Sequence, residues 1–160
     1  MAGPAYVIIS NMADRLLLSL AGLLVSVYSL HVEVQKEKNP KYRAACDFSE
    51  RMSCSKVLTS KYSRGFGVVE PYLGKKHFLN VRNCNLGIVF YLVHAALALL
   101  LPAVTAAPLL LLLSVAGVVT SLYLGYILFV VMNDVCVVCI TTYVINGLLL
   151  YLSYSLYSQV

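Results

Sequence analysis

Tryptophan is absent from this chain of 160 residues, histidine occurs three times, and charged residues make up 12% of it. Beside 60% hydrophobic residues and a mean hydropathy of +0.81, that shortage of charge excludes a soluble domain: a body of this size cannot hide so much apolar surface from water. Basic residues are missing from most of the chain, for of the twelve Lys and Arg only Arg15 lies outside the stretch from His31 to Arg82. The net charge of +5 therefore marks one loop and excludes a nucleic-acid-binding surface. No Asn-x-Ser/Thr site occurs, so glycosylation gives no guide to sidedness. The start also lacks a basic segment followed by a short apolar core and a small-residue cleavage site, and the first apolar stretch is expected to remain as a signal anchor.

What is present is long apolar runs. A helix needs about 20 mostly apolar residues to cross the hydrocarbon core. Four candidates satisfy this, at about 12–32, 86–104, 108–132 and 135–157. They predict an all-α membrane protein, one integral membrane domain over 1–160. Its four-helix bundle carries a large loop, about 33–85, as a cap between the first and second spans. Pro108 suits the first turn of the third helix, which leaves a short connection around Thr105. Asn133-Asp134 alone is expected to join the third and fourth helices. Within the loop, Ser63-Arg64-Gly65-Phe66-Gly67-Val68-Val69-Glu70-Pro71 mixes apolar residues with turn formers and reads as a segment dipping into the membrane interface. Small residues let membrane helices approach closely. Ser19, Gly22, Ser26 and Ser29 on the first helix, and Gly117, Ser121 and Gly125 on the third, are the expected seams.

With four spans, the long loop and the turn between the third and fourth helices lie on one side. Cys46, Cys54, Cys136 and Cys139 thus share a face with Asn80, Asn83 and Cys84, and both termini take the other. The positive-inside rule would place the basic loop in the cytosol. Disulfide chemistry argues for an oxidising compartment, and long loops translocate despite charge. The expectation is a lumenal cysteine loop with both termini cytosolic.

Cys136-Val137-Val138-Cys139 opens the fourth helix, with Asp134 just upstream. Residues three apart on a helix face the same way, and free N–H groups at a helix N-terminus favour the reactive thiolate. Tyr143 and Asn146 continue the stripe, giving reactive sulfur above hydrogen-bonding groups on the wall of an apolar cavity. Cys46 and Cys54, with seven residues between them in a charged loop, can reach a soluble partner. One exposed and one buried pair suit thiol–disulfide relay. A structural disulfide, or a zinc site despite the wide Cys46/Cys54 spacing, are the competing readings. Cys84 is a free thiol by spacing. His94 is expected to be packed or hydrogen-bonded, and Tyr123 and Tyr126 to face the cavity or join the interfacial aromatic belt.

Cys46-Asp47, Ser53-Cys54-Ser55, Arg64-Gly65-Phe66-Gly67, Leu79-Asn80, Phe90-Tyr91, Tyr123-Leu124 and Cys136-Val137-Val138-Cys139-Ile140-Thr141-Thr142-Tyr143 resemble the vertebrate vitamin K epoxide reductases, in order and with matching spacing. The resemblance implies a four-helix endoplasmic reticulum enzyme that reduces vitamin K 2,3-epoxide to the quinone and the quinone to the hydroquinone, in support of gamma-carboxylation. It implies no bound cofactor. Cys139 is then the catalytic thiol, Cys136 its resolving partner, and Cys46 and Cys54 the electron relay. A lumenal thioredoxin-like oxidoreductase supplies reducing equivalents through its dithiol. Asn83 and Tyr143, with Phe66 and Phe90, match substrate-binding positions, where coumarin anticoagulants such as warfarin also bind. Tyr62 stands where the family usually has Trp, and Cys84 where it has Ser. His31-Val32-Glu33 and Tyr123-Leu124-Gly125-Tyr126 resemble the paralogous epoxide reductase-like branch, while Ser53-Cys54-Ser55 and Thr141-Thr142-Tyr143 resemble the main branch.

Two other readings compete. The same relay can run in the oxidising direction, with quinone as oxidant, as in bacterial relatives of this bundle. Four spans with a cysteine pair in the first loop also describe claudin-like junction proteins. Those carry tryptophans in that loop and need no Cys-x-x-Cys on the fourth helix.

Overall fold

The structure is a computed structural model and describes residues 4–160 apart from Lys75 and Leu79, so the Leu79 of the Leu79-Asn80 motif lies outside the described residues. Among the described residues four helices are long and apolar enough to cross a membrane. They are α1 (Pro4–Lys38), α4 (Asn83–Leu100), α5 (Ala103–Tyr126) and α6 (Val137–Gln159). Around the bundle α1 packs on α4 and α6, and α5 packs on α6 and α4. Leu20, Leu24, Leu99, Leu112 and Leu122 are exposed on the outer faces. Such a surface suits lipid and not water; the chain is an all-α, multi-pass membrane protein.

Small residues set the seams. A Cβ on Gly22 would overlap the buried Tyr91 ring, one on Gly87 would lie 2.8 Å from Ser26 Oγ, and one on Gly117 would lie 2.7 Å from Phe90 Cζ. Gly125 has only ordinary contact, 3.7 Å from Tyr143 Cε2. Several polar side chains inside the bundle hydrogen-bond one another. Arg15 is fully buried and donates to Ser153 Oγ (2.8 Å) and Asn11 Oδ1 (3.1 Å), and His94 meets Ser114 Oγ at 3.4 Å.

The helix limits differ from the sequence expectation: α4 ends at Leu100, short of the expected 104, and three further differences concern α1, the start of α5 and the link to α6. α1 has 35 residues. At 1.5 Å per residue it is roughly 50 Å long, against a hydrocarbon core of about 30 Å, and its last turns rise out of the bilayer. Pro108 lies inside α5, not in its first turn, because Thr105 and Ala106 donate their N–H groups to Pro102 O (3.0 and 2.9 Å) and start the helix there. The segment around Thr105 is accordingly helix, and the connection is the short break at Pro102. The link between α5 and α6 is also longer than Asn133-Asp134. A π-helical turn, Ile127–Val131, extends α5, and residues 132–136 lead to α6. Met132 N–H bonds Ile127 O (2.8 Å), Asn133 adopts φ 53°, and Val135 pairs in parallel with Met52.

The cap contains α2 (Cys54–Leu58), 3₁₀ turns at Lys61–Ser63 and Gly65–Gly67, and α3 (Val69–Leu73). Gly65, Phe66 and Gly67 all have positive φ, a run that needs glycine on both sides of the aromatic residue. Val68, Tyr72, Leu73 and Phe78 are exposed along this edge.

Candidate functional site

Cys136 is the N-cap of α6, in extended conformation, and its Sγ accepts the Cys139 backbone N–H at 3.3 Å. Cys136 is fully buried and Cys139 half-buried; both are free thiols. The Cys139 thiol hydrogen bond, reinforced by the Cys139 and Val138 backbone N–H groups, holds the Cys136 thiol below its ordinary range against the opposing effect of burial.

Cys46 and Cys54 form a disulfide with Cα atoms 5.7 Å apart, inside the usual span for such a bond. Local sequence explains the placement. Ser53 caps α2 by accepting the Lys56 N–H (3.3 Å), so Cys54 is the first helical residue. Asp47 accepts from Ala44 N (2.8 Å), Ser53 Oγ (3.0 Å), Ser55 N (3.0 Å) and Ser55 Oγ (2.6 Å), drawing the loop around the disulfide. Partial burial opposes ionisation of Asp47, but these hydrogen bonds together outweigh it and hold its carboxyl down at about 2. Val135 N–H donates to Arg51 O at 2.7 Å, which ties the approach to Cys136 to the segment leading to Cys54. Cys46, Cys54 and Cys136 consequently share one buried apolar cluster, with Cys139 and Tyr143 packed against it.

Next to this cluster lies a mainly apolar cavity of about 140 Å³. Its wall includes Ser26, Ser29 and Glu33 from α1, and Val57, Leu58, Ser60, Tyr62 and Ser63 from the cap. Asn83, Cys84 and Gly87 come from α4, Leu124 from α5 and Ile127 and Leu128 from its π-helical extension, Met132 from the link, and Val138, Cys139, Thr142 and Tyr143 from α6. Cys139, Asn83 and Tyr143 therefore meet at one cavity, and Cys136 stands behind Cys139. Phe66 and Phe90 are outside the lining. Phe66 N–H donates to Asn83 Oδ1 (3.1 Å), and Phe66 O accepts from Tyr123 Oη (3.0 Å). Asn83 Nδ2 also donates to Tyr62 O (2.8 Å), so Asn83 pins the cap while keeping one amide hydrogen. Phe90 packs edge-on against Tyr91 and His94 inside the bundle.

Asn146, expected on the reactive stripe, is also outside the cavity: it accepts from Tyr91 Oη and donates to Ser121 Oγ, both at 2.7 Å. Sequence reasoning took Ser26 and Ser29 as seam residues and passed over Thr142 and Glu33 as wall residues. The buried Glu33 carboxylate accepts from Cys84 Sγ (3.3 Å) and pairs with Arg82 (3.0 Å). Arg82 and Arg64 pair with Glu37 at 2.8 and 3.3 Å, joining α1, the start of α4 and the cap. The one sequence signal for Glu33 is a carboxylate placed at the end of an apolar run.

Chemically, the site offers a dithiol at a helix N-terminus, one sulfur of which reaches an apolar cavity, with the Cys46–Cys54 disulfide packed behind it. A profile of the vitamin K epoxide reductase family matches residues 15–154. The chain is 47% identical over 140 residues to "Vitamin K epoxide reductase complex subunit 1" of Rattus norvegicus, covering 88% of this chain and 86% of the relative. The Mus musculus protein of the same name is 46% identical over the same shares.

Proposed function

This chain belongs to the vitamin K epoxide reductase family, and from that premise we propose a membrane thiol–disulfide oxidoreductase that reduces vitamin K 2,3-epoxide to the quinone, and the quinone to the hydroquinone, through four cysteines. Enzyme class follows from the family; the relay and its direction are our reading. The observation that carries it is the meeting of Cys139 with an apolar cavity in front of Cys136, with Cys46–Cys54 in the same buried cluster.

Cys136, whose sulfur accepts the Cys139 backbone N–H, takes up the proton that leaves the Cys139 thiol. The Cys139 thiolate then attacks an epoxide carbon, and the opened oxygen takes up a proton. Cys136 attacks Cys139 sulfur, the carbon–sulfur bond breaks, and its electron pair expels the oxygen as water. Quinone and a Cys136–Cys139 disulfide remain. Reduction of the quinone passes through a separate thioether formed by addition of Cys139 to the ring; Cys136 attacks the Cys139 sulfur, the carbon–sulfur electron pair stays on the ring, and the ring oxygens take up two protons to give hydroquinone and the Cys136–Cys139 disulfide. Asn83 and Tyr143 donate hydrogen bonds to the ring oxygens, where negative charge builds. Once reduced, Cys54 attacks Cys136 and frees Cys139, and Cys46 then attacks Cys54 and frees Cys136. A lumenal thioredoxin-like dithiol reduces the re-formed Cys46–Cys54 bond. We place the protein in the endoplasmic reticulum membrane with the cap lumenal, and the cavity as the coumarin site.

The test is turnover of vitamin K epoxide by purified protein with dithiothreitol, with quinone and hydroquinone separated by chromatography. Turnover that disappears in Cys139→Ala is expected. A folded protein that turns over neither epoxide nor quinone would overturn the reductase reading.

A further inference from the structure

Two free thiols line the apolar cavity, Cys139 and Cys84, and the chemistry above uses only Cys139. Both are half-buried. Both also stand in the first turn of a helix: Cys139 is the third residue of α6 and Cys84 the second of α4. Free N–H groups at that end favour a thiolate, so position alone would let either sulfur attack an electrophile in the cavity. The outcomes differ. An adduct on Cys139 is resolved by Cys136, which caps the same helix and accepts the Cys139 N–H at 3.3 Å. Cys84 has a carboxylate, not a thiol, as its neighbour.

That carboxylate is Glu33, which is 1% exposed and lines the same cavity from the end of α1. Cys84 Sγ donates to Glu33 Oε2 at 3.3 Å, and Arg82 Nη1 lies 3.0 Å from Glu33 Oε1. The guanidinium keeps Glu33 ionised, and an ionised carboxylate only accepts hydrogen bonds. Moving the Cys84 proton onto Glu33 would leave a neutral acid beside Arg82 and forfeit the ion pair. Moving it elsewhere would leave two anions 3.3 Å apart in an apolar wall.

We propose that Glu33 is a specificity-determining residue of this site: it holds the Cys84 S–H and so reserves attack on the substrate for Cys139. This rests on the reductase reading above. Without the carboxylate, a Cys84 thiolate would open the epoxide as Cys139 does. A carbon–sulfur bond forms, a carbon–oxygen bond breaks, and the oxygen takes up the proton that the thiol gave up. No disulfide is made and no electrons leave the protein. With no neighbouring thiol to attack its sulfur, the hydroxy-thioether on Cys84 is a dead end that fills the cavity.

Glu33→Gln removes the charge at nearly constant shape, and Arg82 keeps its two hydrogen bonds to Glu37, at 2.9 and 2.8 Å, to tether the cap. The full chain in detergent is reduced with dithiothreitol, freed of it and treated with N-ethylmaleimide, a small neutral electrophile. Labelling of Cys84 and Cys139 is followed by peptide mass spectrometry. The ratio of Cys84 to Cys139 labelling rates is expected to rise about tenfold in the variant, through a larger Cys84 thiolate fraction. Both thiols are read on one molecule, so a general loosening of the fold raises both rates and leaves the ratio. With vitamin K epoxide and dithiothreitol, the variant should gain the substrate's mass on Cys84 and lose turnover as the assay proceeds, while wild type does neither. Cys84→Ser placed in the variant should restore steady turnover, which repair of a misfolded cap would not explain. An unchanged ratio would overturn the proposal, and a lower one would do so by making Glu33 the base that activates Cys84. Faster labelling with no substrate adduct on Cys84 would overturn it as well. A wild-type protein that turns over no vitamin K would instead sink the reductase reading, and the maleimide ratio would still decide whether Glu33 restrains Cys84.

Discussion

Tyr91 is 1% exposed, and its ring lies against the bare backbone of Gly22 while its hydroxyl donates to Asn146. Each partner can therefore be tested alone. Gly22→Ala drives a methyl into a ring with no room to move and is expected to lower stability by about 1–3 kcal/mol. Gly125→Ala meets only ordinary contact and should stay within about 0.5 kcal/mol of wild type. Thermal melting in detergent compares the two, and equal melting temperatures would contradict the seam assignment. Tyr91→Phe leaves Asn146 Oδ1 buried without its donor, a loss of about 1 kcal/mol at the values measured for hydrogen bonds between membrane helices. The spacing of Gly22 and Gly117 made both seams legible in the sequence. Asn146 was misleading, since helical periodicity shows which face a residue lies on but not whether that face meets a cavity or a neighbouring helix. Glu33 was invisible as a cavity wall, because its role depends on Arg82 and Cys84, some fifty residues away in the chain.

At the scale of elements, the cap is held by two polar knots with different pH behaviour. The Asp47 knot encloses the Cys46–Cys54 disulfide, and its folded-state carboxyl lies at about 2, below the ordinary 3.8. A depressed carboxyl contributes stability that is fully present above its ordinary pKa and is lost as pH falls toward the folded value. Melting temperature should therefore be insensitive to this group between about pH 5 and 8 and decline below about pH 4. Asp47→Asn should lower the melting temperature at neutral pH and flatten part of the acid decline; an unchanged acid limb would assign that decline to other groups. The Glu37–Arg82–Arg64 knot spans α1, the start of α4 and the cap. Glu37→Gln removes the charge that Arg82 grips through two hydrogen bonds, at 2.9 and 2.8 Å. A looser cap should raise KM for vitamin K epoxide several-fold with little change in kcat; a fall in kcat alone would point away from cap closure. Neither knot could be seen in sequence: Asp47, Ser53, Ser55 and Arg64 stand there as motif residues and Glu37 and Arg82 as charges, with nothing to show which of them meet. The helices themselves were legible from their apolar runs. Their ends were not, because Pro102 rather than Pro108 starts α5 and a π-helical turn delays its finish.

Across the whole molecule, the charge distribution and the cysteines make opposite demands on orientation. Eleven of the twelve basic residues fall between His31 and Arg82, on the face that carries the cap. If charge alone set topology, that face would be cytosolic, and the Cys46–Cys54 disulfide would stand in a reducing compartment. The fold offers a way out. Many of these cations are engaged within the cap: Arg82 and Arg64 with Glu37, Lys56 with Asp134, and Lys36 with the carbonyls of Pro40 and Tyr42. A cap that folds around its own charges on the lumenal side keeps them there once it has crossed, and long loops cross largely regardless of charge. Orientation can be read directly with Ser49→Asn and Arg51→Thr, which turn an exposed stretch of the cap into a glycosylation acceptor. Expressed in cells, this variant should gain a glycan that endoglycosidase removes. Epitope tags on both termini should react with antibody when only the plasma membrane is permeabilised. An unglycosylated cap with shielded tags would place the four cysteines in the cytosol, and with that orientation a lumenal reductant would be untenable.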